Sequence, residues 1–119
     1  MPQATREEPA VVVGKTYDFL LWLLPKAEKF SRSYRFSVGE RVVSYGLDLL
    51  MTLVGAAYSS QKAPLLELEN GKVNGLRYLL RLAKDLRLLS TDGYGFGVER
   101  LDEIGRMVGG WLRATAKRA

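Results

Sequence analysis

The sequence predicts an all-α chain folded as an up-down-up-down antiparallel four-helix bundle. Three observations predict it: apolar residues recur with a helical period in four blocks, strand-like alternation is absent, and the links between blocks are short enough to force neighbouring helices antiparallel. The 119 residues fit one such domain, and 47% of them are hydrophobic, enough for a real core.

The bundle is expected over residues 12–117, after a flexible arm at 1–11. That arm holds Pro2, Arg6, Glu7, Glu8 and Pro9 and has no apolar signal-peptide centre. The first helical block runs from about Val12 to Ser33, with an inward stripe of Val13, Tyr17, Leu20, Leu24, Ala27 and Phe30. Pro25 lies inside it and predicts a kink, because proline removes a backbone donor and crowds the preceding turn.

Ser37-Val38-Gly39-Glu40 matches a capping box and predicts the start of the second helix. Its stripe is Val38, Val42, Tyr45, Leu49, Thr52 and Ala56, and it ends near Ser59-Ser60. The third begins near Pro64, a favourable first-turn residue, with Leu65, Leu68, Leu76, Leu79, Ala83 and Leu86 turned inward. Gly71 and Gly75 weaken it by about 1 kcal/mol each relative to alanine. The stripe keeps its phase across them, so one continuous helix is expected. The fourth follows the capping residues Ser90-Thr91-Asp92 and starts anywhere from Thr91 to Gly97. Its stripe is Val98, Leu101, Ile104, Val108, Trp111 and Thr115.

Composition narrows the function. Cysteine and histidine are both absent, which excludes disulfides, thiolate metal sites, triads of the usual form and the histidine-containing metal sites of bundle cores. The reading is a binding protein without a catalytic site or a cofactor. A small enzyme with a lysine- or tyrosine-based site is the discounted alternative. No uncharged apolar run approaches the roughly 20 residues that span a bilayer, so a cytoplasmic protein without a membrane partner is expected.

The net charge of +5 favours a polyanionic partner. Residues 1–60 carry seven basic and six acidic side chains and residues 61–119 eleven and seven, which places the surplus in the second half. There Arg77, Arg81 and Lys84 fall at i, i+4 and i+7 on one face, read as roughly opposite the leucine stripe and only partly neutralised by Asp85. On the last helix Arg106, Arg113 and Lys117 fall close together around Gly109 and Gly110. These six are the candidate binding residues; a plain solvated face is the alternative. The pairs Glu67/Glu69, Asp102/Glu103 and Glu7/Glu8 read as solvated. Gly93-Tyr94-Gly95-Phe96-Gly97 follows a helix, not a strand, and reads as a flexible helix start, not as a phosphate loop.

The third block also carries Leu66, Val73, Tyr78, Leu80, Leu82, Leu88 and Leu89, so it is apolar nearly all round. Such a helix does not suit the edge of a monomer, and a subunit interface is expected.

Three segments carry a resemblance: Phe30-Ser31-Arg32 through Val42, Leu76-Arg77-Tyr78-Leu79-Leu80-Arg81, and Gly105-Arg106-Met107-Val108-Gly109-Gly110-Trp111-Leu112. Over about residues 12–117 the chain resembles a four-helix-bundle family with two branches. One is the accessory variability determinant (Avd) of diversity-generating retroelements; the other is the protein encoded in intervening sequences of bacterial large-subunit ribosomal RNA. The Leu-Arg and Gly-Arg segments look closest to the first. That resemblance implies a ring-like homopentamer with a basic surface, which binds a reverse transcriptase and RNA or DNA and supports mutagenic cDNA synthesis. It assigns a basic binding role to Arg77 and Arg81. The second branch implies a structural oligomer of undefined role.

Overall fold

The structure, a computed structural model, describes residues 2–118 and the side chains of residues 9–117. Four long helices form it: α1 (Pro2–Glu28), α2 (Glu40–Tyr58), α3 (Lys62–Asp85) and α4 (Thr91–Arg118), with no strand among the described residues. Each helix packs on its chain neighbours, and α1 closes the ring against α4.

Contacts fix every neighbouring pair as antiparallel. Gly46 of α2 sits against Leu20 and Leu23 of α1. Tyr45 packs on Gly75 of α3, while Asp48, one turn further along α2, pairs with Lys72. Between α3 and α4, Leu80 meets Gly97, Arg77 meets Asp102 and Val73 meets Gly105. Lys15 of α1 reaches Glu103, and Trp22 reaches Gly97.

α1 begins at Pro2, ten residues before the expected start, so the segment read as an arm carries helical backbone. Its buried face is Val12, Thr16, Phe19, Leu20, Leu23, Ala27 and Phe30. Tyr17, expected inside, is 55% exposed. Leu20, Ala27 and Phe30 are buried as expected, but Val12 and Thr16 take the places expected of Val13 and Tyr17, since Thr16 is tolerated in the core: its hydroxyl donates to the Val12 carbonyl at 2.8 Å. Pro25 stands in the last turn, and the chain leaves the helix through tighter bonds from the Lys29 and Phe30 amides to the Lys26 and Ala27 carbonyls.

The capping box does not form. A helical turn at Arg32–Tyr34 and a π-helical turn at Arg35–Gly39 lead directly into α2, so Gly39 already has helical dihedrals and needs no cap. The Ser37 hydroxyl faces back toward the Tyr34 carbonyl instead. The far end of α2 is closed by Lys62, whose ammonium donates to the carbonyls of Ala56, Ala57 and Ser59 at 2.9, 3.3 and 2.8 Å. A cation is favoured there, where carbonyls are left without intrahelical donors.

α3 runs unbroken through Gly71 and Gly75. It buries Leu66, Glu69, Val73, Leu76, Leu80 and Ala83: Leu76 and Ala83 are inward as expected, while Leu66, Glu69 and Leu80 take the core places expected of Leu65, Leu68 and Leu79. Leu66, Val73, Leu80 and Leu89, read as surplus, therefore belong to the subunit's own core, whereas Leu68, Tyr78 and Leu82 are exposed. α3 ends in a Schellman motif, with Leu88 N–H on the Ala83 carbonyl, Arg87 N–H on the Lys84 carbonyl, and Arg87 in the left-handed region at φ 64°. Ser90 then caps α4, accepting from the Gly93 amide at 2.9 Å and setting the start at Thr91. The glycine run 93–97 is helical, and Gly97 has a packing reason: a β-carbon there would stand 2.9 Å from Leu80 and 3.0 Å from Trp22.

Candidate functional site

Of the six candidate cations, Arg77 and Arg106 line the groove between α3 and α4, and the other four stand on the same two helices. From one end the order is Lys84, Arg81 and Arg77 on α3, then Arg106, Arg113 and Lys117 on α4. At 1.5 Å per residue the six span about 33 Å along the bundle. The three on α3 flank the core and do not stand opposite it, because the buried face of α3 is centred on Val73 and Leu80.

Arg77 is half-buried and already engaged. Its Nε donates to Asp102 Oδ1 at 2.9 Å, and Nη1 donates to Asn74 Oδ1. Its guanidinium lies across Gly105, where a β-carbon would stand 3.0 Å from Nη2. Asn70, Val73, Asn74, Asp102, Gly105 and Arg106 line the shallow groove around it. The structure thus brings Arg77 and Arg106 together, and a carboxylate with them. Lys84 lies 3.6 Å from Asp85 and 4.8 Å from the centre of the Tyr94 ring. Of the strip read on α3 as only partly neutralised by Asp85, Lys84 pairs with Asp85 and Arg77 pairs with Asp102, 25 residues away in sequence, which leaves Arg81 without a carboxylate partner among the described residues.

Arg81, Arg106, Arg113 and Lys117 are exposed and have no carboxylate partner among the described residues. Arg113 folds back over Gly109 and Gly110, lying 3.4 and 3.9 Å from where their β-carbons would be. Arg113 and Lys117 stand toward the opposite end of the bundle from Lys84.

Two features escaped the sequence reading. Glu69, read with Glu67 as solvated, is 0% exposed, and neither carboxylate oxygen has a hydrogen-bond partner. Burial, reinforced by the nearby Asp48 charge, pushes its pKa up to about 8. The signal was its i+4 spacing to Val73, overlooked because the residue is acidic. The second is a basic concentration in the first half of the chain. Lys26, Lys29, Arg32, Arg35 and Arg41 are all exposed, and half-chain charge totals hide them behind the acids at Glu7, Glu8 and Asp18.

Among the described residues, no three acidic side chains converge to hold a metal ion, and no helix is long and apolar enough to cross a membrane. No curated protein matches the chain. A family model described as bAvd-like matches residues 10–115. That match spans nearly all of a four-helix chain: the chain belongs to the bAvd-like family, consistent with an Avd-type protein.

Proposed function

We propose that this protein is an accessory subunit of a diversity-generating retroelement, binding the reverse transcriptase and nucleic acid and contributing no chemistry of its own. The carrying observation is the family match together with four exposed cations on α3 and α4, Arg81, Arg106, Arg113 and Lys117, that have no carboxylate partner among the described residues. Phosphates held there displace condensed counterions, which drives association and makes it salt-dependent. Selectivity comes from the reverse transcriptase and from RNA shape, since a line of cations positions a backbone without reading base edges.

The active form in this reading is a symmetric homo-oligomer, a pentamer by analogy with the family. Exposed apolar side chains support self-association: Leu68, Tyr78 and Leu82 on α3, and Leu47, Met51 and Tyr58 on α2.

One observation favours a second reading, a structural oligomer acting through protein contacts alone. Arg77 and Lys84 are engaged by Asp102 and Asp85, so part of the basic line is internally neutralised. Filter binding with structured RNA at physiological salt, beside co-purification with the reverse transcriptase, separates the two. The accessory reading expects saturable binding and a stable complex. Absence of both would leave the structural oligomer.

A further inference from the structure

We propose that the connection between α1 and α2 is a second polyanion-binding surface, fitted to a single-stranded nucleic acid. Residues 26–41 hold five cations, Lys26, Lys29, Arg32, Arg35 and Arg41, against two carboxylates, Glu28 and Glu40. All five are exposed, and none has a carboxylate within ion-pair reach among the described residues. Elsewhere Lys15, Lys72, Arg77, Lys84 and Arg100 each hold one, while Arg81, Arg106, Arg113 and Lys117 do not.

The fold concentrates these charges. The Lys29 and Phe30 amides bond back to Lys26 and Ala27, and Gly39 returns against Phe30 and the Ala27 carbonyl. The stretch therefore closes on itself at one end of the bundle. Like charges so placed raise the energy of the folded subunit, and Arg32 and Arg35 also open a helical run, where aligned peptide dipoles favour acidic side chains. Among the described residues no ion pair offsets this, whereas a phosphate backbone does.

An aromatic side chain narrows the partner. Phe36 is 70% exposed beside Arg35, on the π-helical turn. An open ring within a basic segment suits an unpaired base stacked over it while its phosphates meet the cations. A duplex keeps its bases stacked internally and cannot use the ring, and an acidic peptide has no need of it. This inference rests on the reading that the protein meets nucleic acid, and it adds where a single strand is held.

The test uses the full chain with a labelled uridine 20-mer, a duplex of equal length and polyglutamate. Two variants are compared with wild type: Lys26→Gln/Lys29→Gln/Arg32→Gln/Arg35→Gln, and Phe36→Ala. The fourfold variant should flatten the log–log salt dependence for the single strand by about 2.8, taking about 0.7 per phosphate. Phe36→Ala should weaken the single strand about fivefold or more, leaving the duplex and the salt slope unchanged. As one exposed substitution, it also tests the surface should the fourfold variant misfold. Unchanged single-strand binding in both variants overturns the proposal. So does a loss confined to polyglutamate, which would assign the surface to an acidic protein. A third variant, Arg81→Ala/Arg106→Ala/Arg113→Ala/Lys117→Ala, separates the two readings. If it alone loses binding, the α3–α4 assignment stands and this one falls; the reverse pattern does the opposite. Wild type that binds neither nucleic acid ends both.

Discussion

Arg77 of α3 donates its Nε to Asp102 of α4 at 2.9 Å, and its guanidinium lies across Gly105. The most conspicuous arginine of the basic line is thus held in place, not waiting for a phosphate. Both partners are partly exposed, so the pair adds at most about 1 kcal/mol to stability. Its larger consequence is electrostatic. Asp102→Asn keeps an acceptor for Nε but releases the positive charge. RNA binding should tighten, and the log–log salt dependence should steepen by about 0.7–0.9, one phosphate's worth. Thermal unfolding should barely move. A slope identical to wild type would show that Arg77 lies outside the bound path.

Gly95 and Gly97 stand two residues apart in the same helix and should respond oppositely to alanine. Nothing lies within 4 Å of a β-carbon at Gly95, so Gly95→Ala should stabilise by about 0.5–1 kcal/mol through helix propensity. At Gly97 the new methyl meets Leu80 and Trp22 at 2.9 and 3.0 Å, and Gly97→Ala should destabilise by about 1–3 kcal/mol through overpacking. Urea unfolding of both variants decides this. Equal effects would mean that packing is not why Gly97 is glycine.

Glu69 makes stability depend on pH in a defined direction. Its pKa is about 8 in the folded chain against an ordinary 4.5, so the folded state binds more protons between those values. Its contribution is complete below about pH 4.5 and is lost as pH rises toward 8, at about 1.4 kcal/mol per unit and on the order of 5 kcal/mol in all. Glu69→Gln removes the titration, so the stability gained over wild type should widen from pH 5 to pH 8. Parallel stability curves would contradict a buried, protonated Glu69.

Four helices were legible because period and punctuation agree: the stripe of α4 and the stop at Ser59-Ser60 need no tertiary knowledge. The phase of α1 and α3 was legible only in part: Leu20, Ala27, Phe30, Leu76 and Ala83 are buried as expected, while Val13, Tyr17, Leu65 and Leu68 give way to their neighbours. Leucine-rich segments offer several stripes, and the choice between them turns on residues that look wrong for a core, Thr16 with its internal hydrogen bond and Glu69 in its neutral form. The false capping box at Ser37 failed for a related reason, since the preceding turn is itself helical and leaves no free amides to satisfy. At the candidate site, spacing within one helix aligned Arg77, Arg81 and Lys84 but was blind to Asp102 on the next helix. Lys26 to Arg41 were missed because half-chain totals average over the turn that gathers them.

In the proposed function Arg81, Arg106, Arg113 and Lys117 of α3 and α4 neutralise the phosphates of a bound RNA. The most direct measurement is the salt dependence of RNA affinity for wild type and for the variant with all four changed to alanine. The claim predicts a slope flatter by about 2.8–3.6, about 0.7–0.9 for each cation removed, with the helical content unchanged. Identical slopes for the two folded proteins would contradict it.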